Sequence, residues 1–300
     1  MELAAGFSLQ PLPPIAEPVP LAGADPLGPL AGLAGKWAGK GFNMIWRPNH
    51  TPGQDRFLEL NLTQEQLEFT TIPGKIPNRG LLQHDINMHG LTYLQQISDA
   101  NLNAGLHIEP GLWVFVPPTT DPNEPRTVAR LASIPHGTTI VAQGTATTSA
   151  TPTIPDIDIK PFPIGNQANR IDFPEQTLTT PSNFRTSGAG LTGITQQMVD
   201  NPSTVLHSAI ANQQIQATTR LHISTSNTSI PGGGTANTAF LVGSADGPNA
   251  DAARVRATFW LETLQGHTGP SQLQYSQIVL LNFNGLSWPH VTVATLHKTS

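Results

Sequence analysis

One pattern constrains this chain more than any other. Short segments of alternating apolar and polar residues recur along it, each closed off by Gly, Pro, Asn or Asp. "RFLELNL" (56–62) sets Phe57, Glu59 and Asn61 against Leu58, Leu60 and Leu62. Similar grammar marks 66–73, 90–99, 104–118, 126–135, 138–148, 216–225, 253–264, 272–284 and 286–298. A period of two is the signature of a strand, and turn residues at such intervals favour antiparallel neighbours. Only 12% of the residues are charged, while 28 prolines and 27 glycines supply turns. Strands on both sides of one irregular stretch predict an all-β fold, a single closed antiparallel barrel of about ten strands with a helical insert.

The remainder divides accordingly. Residues 1–29 are proline-rich and aperiodic and read as an N-terminal arm; 30–300 are the barrel domain. The insert, at about 149–213, is an irregular excursion rich in proline. Within it "DNPSTVLHSAIANQ" (200–213) has helix grammar: Asp200 or Asn201 as N-cap, Pro202 in the first turn, and Val205, Leu206, Ala209 and Ile210 as a buried stripe. "LTGITQQMV" (191–199) suggests a second short helix before it. "PGGGTANT" (231–238) reads as a flexible hairpin.

Several functional classes fall away. The chain has no cysteine, so zinc–thiolate sites, iron–sulfur clusters and cysteine nucleophiles are excluded. The net charge is −5 and no basic run exists, which argues against nucleic-acid partners. No apolar stretch reaches the ~18 residues of a membrane span. No signal peptide is visible, and a cytoplasmic location is the expectation. Nucleophile-elbow, Walker and His-Glu-x-x-His motifs are missing.

The first barrel strand, "GKWAGKG" (35–41), carries glycines where a strand normally avoids them. They let the strand bend and other backbone approach closely, while Trp37 plugs the barrel end. "GKWAGKG", "GLTYLQQISD", "LHIEPGLW" and "SWPHVTVATL" follow one another in order. Together they resemble the nitrobindin family, heme-binding β-barrels related to fatty-acid-binding proteins. That family shows a Gly-x-Trp-x-Gly-x-Gly start, a strand ending in Tyr-x-Gln, a His-x-Glu-x-Gly strand, and a final strand with a histidine near its start. The matches lie within 30–148 and 253–298; the proline arm and the region 149–252 are departures, since nitrobindins are much shorter.

The resemblance implies heme b as cofactor, ferric iron, nitric oxide binding and isomerisation of peroxynitrite to nitrate. It aligns His290 with the axial ligand. In the last strand His290 shares a face with Leu286, Trp288, Thr292, Ala294 and Leu296. If that face looks inward, a neutral imidazole stands in an apolar pocket walled by Trp37 and Trp288. The bland alternative is a histidine bonded to a neighbouring carbonyl. His107 shares a face with Glu109, Gly111, Trp113 and Phe115. It either donates to a ligand on the iron or forms a structural pair with Glu109. His84 and His89 read as loop residues and His136 as a turn residue, while His207, His222 and His297 show no partner in the sequence.

Two other readings stay open. One is a lipocalin-type carrier of an apolar ligand such as a fatty acid or terpenoid, with Arg47, Arg56 or Arg79 anchoring a carboxylate. The other is an acid–base enzyme using His107 and Glu109. In each, the partner is a small molecule.

Overall fold

The computed structural model describes residues 25–81, 83–226, 233–243 and 249–300. Ten strands form the wall: β1 (Gly35–Pro48), β2 (Arg56–Thr71), β3 (Ile86–Asp99), β4 (Gly105–Val116), β5 (Thr127–Ile134), β6 (Thr138–Ser149), β7 (Ile215–Ser224), β8 (Asp251–Leu264), β9 (Gln272–Phe283) and β10 (Leu286–Lys298). Each pairs antiparallel with the next. β1 also pairs with β10, Trp37 opposite Lys298 and Ile45 opposite His290, which closes the barrel.

Close approach explains the glycines of β1. A Cβ on Gly39 would stand 2.1 Å from the Thr295 carbonyl oxygen, and one on Gly41 2.3 Å from that of Val293. Only glycine lets β10 settle this tightly against β1.

A short helical turn, Gly28–Leu33, precedes β1 and drives Leu30 and Leu33 into the barrel end beside Trp37. The Trp37 indole N–H donates to the Leu33 carbonyl at 2.7 Å. The expected arm therefore packs on the barrel from Leu27 onward; its residues 1–24 lie outside the described residues.

Three readings of local structure change. First, 56–62 and 66–73 are one continuous strand, β2. The polar "TQEQ" that looked like a turn is strand, because Thr63 and Glu65 point into a polar interior. Second, Gly233–Asn237 is a strand rather than a loose hairpin. It pairs with Thr138–Ala142 of β6, continuing the track that β7 occupies along Gln143–Ser149. Third, His89 lies in β3 rather than in a loop, while His84 stays exposed.

The insert joins β6 to β7, two strands that pair directly, Ser149 opposite Thr218. Among the described residues its contribution to the wall is the two-residue strand Phe162–Pro163, which pairs with Ser287 and Leu286 at the start of β10. Its helices are α1 (Gln196–Asp200) and α2 (Ser203–Ile210). Thr195 caps α1 through the Met198 N–H. Asn201 supplies cap chemistry for α2, its Oδ1 accepting from Ser203 N–H at 3.1 Å, although Pro202 stands at the cap position. Of the expected stripe, Leu206 is buried, Val205 and Ile210 are partly so, and Ala209 is exposed.

Two apolar cores result. The inner one fills the closed half of the barrel around Trp37, Trp113, Phe259 and Leu296. The outer one lies between the wall and the insert, where Phe42, Met44, Trp46, Leu58, Leu60 and Trp288 meet Ile154, Ile157, Ile159, Val199 and Leu206. Each fully buried side chain of this size contributes on the order of 2–3 kcal/mol. Among the described residues no helix is long and apolar enough to cross a membrane.

Candidate functional site

The other half of the barrel is open. It holds a cavity of about 960 Å³ lined by residues of several strands, among them His290, Ile45, Val279, Leu281, Ile97 and Leu241. Leu241 comes from a short helix, Ala239–Val242, at the mouth. Polar residues lie deeper: Asn43, Thr292, Gln277, Gln95 and Tyr275.

His290 sits on β10 with Ile45 and Val279 as its strand neighbours. No hydrogen bond joins its ring to any described residue. Burial, assisted by the nearby His107 and His136, pulls its pKa down to about 3. The imidazole is therefore neutral at physiological pH and keeps a nitrogen lone pair free for a ligand. Two residues along, the Thr292 hydroxyl donates to Asn43 Oδ1 at 2.8 Å.

Below this level a polar belt crosses the lumen. On one side Arg130, 1% exposed, donates to the Tyr93 oxygen at 2.8 Å, to Gln277 Oε1 at 2.7 Å, and to Glu109 Oε1. The Tyr93 hydroxyl also donates to Glu109. Burial pushes the Glu109 carboxyl up, but the Arg130 guanidinium and hydrogen bonds from His107 and Tyr93 outweigh it and hold the pKa at about 2. On the other side Glu65, 2% exposed, accepts from Tyr275, from Thr63 at 2.8 Å and from Gln95 at 3.5 Å. None of these donors is charged. Burial dominates there, and the Glu65 pKa rises to about 6.

His107 stands at the rim with Nε2 3.2 Å from Glu109 Oε2. Its ring meets that of His136 edge-on, centroids 5.3 Å apart. His136 is in a turn, as expected, but that turn borders the cavity. Both histidines also line a second open groove of about 860 Å³ that reaches Glu65.

The expected tryptophan walls are elsewhere. Trp37 belongs to the plugged end and does not line the cavity. Trp288 belongs to the outer core, stacked on Phe283 at 4.8 Å and tilted against Trp46 and Phe173 at 5.2 and 5.1 Å. The insert makes the outside of the wall apolar there, so a large apolar ring at the start of β10 finds its cover outside. The candidate anchors are each already paired: Arg47 with Glu59 at 2.8 Å, Arg56 with Asp55 and Glu175, and Arg79 with Asp85. His222 does have a partner, Thr258 Oγ1 at 2.9 Å; His207 and His297 are exposed.

Sequence reasoning missed Glu65, Tyr275, Gln95, Arg130 and Gln277. For Glu65 the signal is the alternation of β2, where Asn61, Thr63 and Glu65 share a face. Among the described residues no group of three or more His, Asp or Glu is placed to hold a bare metal ion.

Fold and site together define a closed ten-stranded barrel with a histidine-bearing cavity at its open end. No family model and no curated protein matches the chain. Among solved structures, the crystal structure of Rv2717c from M. tuberculosis aligns at 15% identity, covering 92% of this chain and 99% of that one, with a TM-score of 0.43.

Proposed function

We propose that this protein is a heme-binding barrel in which His290 ligates the iron. The supporting observation is the neutral, unpartnered imidazole of His290 facing a cavity of about 960 Å³. The imidazole is partly buried and without a hydrogen bond, and a metal–nitrogen bond would occupy its free lone pair. Ile45, Val279, Leu281 and Ile97 provide an apolar surface suited to a porphyrin face. When bound, heme supplies a ferric iron that takes nitric oxide and converts peroxynitrite to nitrate, the chemistry expected from the sequence resemblance.

The chain's own groups have separate tasks in this reading. His290 holds the cofactor. His107, fixed by the Glu109 carboxylate, presents a polar edge at the mouth. Glu109 is locked ionised by Arg130, so it orients His107 and does not move a proton near neutral pH. That argues against the acid–base enzyme. The arginine pairings leave the apolar-carrier reading without a free carboxylate anchor among its candidates.

Hemin titration tests the proposal. The unmodified protein should load near stoichiometrically with a sharp Soret band. His290→Ala should lose retention, whereas His107→Ala should keep heme and alter only the response to nitric oxide or peroxynitrite. Unchanged affinity and spectrum in His290→Ala would sink the ligand assignment. Failure of the unmodified protein to bind hemin would hand the cavity to an apolar ligand.

A further inference from the structure

We propose that Tyr275 is a proton-gated hydrogen-bond donor on the cavity floor, turned toward an anionic oxygen of a ligand when Glu65 holds a proton and withheld when Glu65 is ionised. The gate requires that the cavity take a ligand. It does not depend on that ligand being heme.

A phenol has one hydroxyl hydrogen and two acceptor positions. Tyr275 lines the cavity, and its hydrogen is given to Glu65 Oε2. Gln95 Nε2 donates to the phenol oxygen at 2.9 Å. Thr63 occupies the other carboxylate oxygen at 2.8 Å. With Glu65 ionised, the Tyr275 hydrogen is committed to the carboxylate. Once Glu65 binds a proton, its O–H donates back to the phenol oxygen. That oxygen then accepts from both Gln95 and Glu65, and the phenolic hydrogen is left over. Tyr275 is 1% exposed and is one of the residues lining the cavity, so an acceptor that reaches its hydroxyl arrives from that side.

Electrostatics favours the same outcome. The ionised Glu65 repels an anion on the floor; the protonated form does not. Among the described residues no basic side chain pairs with Glu65, in contrast with Glu109, two strands along on β4, which pairs with Arg130. The ionisable groups around it are His107 on β4, which shares the second groove with it and with His136, and Arg130 on β5, whose charge reaches Tyr275. Arg130 is engaged by Glu109, and the phenol of Tyr275 is kept neutral because burial raises its pKa further. Burial also brings the Glu65 proton into the range near pH 6.

The test is calorimetric titration of the full-length, heme-free protein with benzenesulfonate, which stays an anion across the range used. The unmodified protein should bind about tenfold more tightly at about pH 5 than at about pH 8, the size expected of one hydrogen bond to a charged oxygen. Glu65→Gln, whose amide donates to Tyr275 at every pH, should bind tightly throughout. Tyr275→Phe should bind weakly throughout, with no more pH response than Glu65→Gln shows. The inference is overturned by no saturable binding in the unmodified protein, by a pH dependence in Glu65→Gln as large as that of the unmodified protein, or by a Tyr275→Phe variant that behaves like the unmodified protein. An infrared difference spectrum between the two pH values gives a second readout. The C=O stretch of a protonated carboxyl should weaken in Glu65→Gln, leaving the contribution of Glu262, which burial raises to about 7. An unweakened band in that variant overturns the inference as well. Hemin takes no part in these titrations. A protein that refuses hemin yet shows this pattern loses the heme reading and keeps the gate. A protein that loads hemin without this pattern keeps the heme reading and loses the gate.

Discussion

Glu109 on β4 and Glu65 on β2 flank β3 in one polar belt, equally buried and equally well supplied with hydrogen bonds. Only their charged company differs. Glu109 has a guanidinium and is held at about 2; Glu65 has neutral donors alone and is raised to about 6. The pair shows that burial does not decide the state of an interior carboxyl. A single cation does, and it turns one side of the belt into scaffold while leaving the other able to exchange a proton.

The hardest way to break this contrast is to remove the cation. Arg130→Met leaves Glu109 buried without compensation and strands Tyr93 and Gln277. A loss of about 3–5 kcal/mol is expected in denaturant unfolding near pH 7. Glu109→Gln should cost up to about 3 kcal/mol at neutral pH. The Glu109 value lies below the ordinary 4.5, so its stabilisation is complete above 4.5 and disappears as pH falls toward 2. The variant and the unmodified protein should converge in acid.

Glu65→Gln should act with the opposite sign. Its folded value is above 4.5, so ionisation penalises the fold, and the penalty grows as pH rises from 4.5 through about 6. Relative to the unmodified protein the variant should gain about 1–2 kcal/mol between pH 4 and pH 7, read as the change in their stability difference. Glu262 slopes the same way but is present in both proteins and cancels. The smallest effect belongs to His107→Gln. It removes a partly exposed contact to a carboxylate that Arg130 already satisfies, and should shift stability by less than about 1 kcal/mol. A larger loss would mean that Glu109 leans on the rim as well as on Arg130.

This contrast was hidden in the sequence for a definite reason. Alternation in "RFLELNLTQEQLEF" divides the residues between two faces but does not say which face is inside. In a barrel with a bare outer surface, Leu58, Leu60 and Leu62 would turn inward. Here the insert covers the wall, so Leu58 and Leu60 are buried outside and Thr63 and Glu65 face the lumen. The same cover claims Trp288. Features set by the backbone were easier to read: the strand count, the ring closure and the plug at Trp37 follow from glycine, tryptophan and turn positions. "PGGGTANT" misled because glycine runs usually signal loops. Gly233 is needed as glycine within a strand, with a positive φ of 90° and the Val141 carbonyl 2.1 Å from where a Cβ would stand.

The seam between β1 and β10 also governs how the molecule is made. β1 emerges from the ribosome long before β10, and its free edge waits until residues 286–298 have followed. An open strand edge invites wrong partners. Lys36 and Lys40 lie along this one and discourage them by charge. Sealing the ring is a contact between distant parts of the chain, and its entropic cost precedes the stabilisation it brings, so closure is slow compared with hairpin formation. The seam then admits no approximate fit: with the Thr295 and Val293 carbonyls seated on Gly39 and Gly41, the ring either locks or stays open. A nascent chain therefore passes through a stage with most hairpins formed and no enclosed lumen, and a ligand has no cavity to enter until the two ends of the sheet have met.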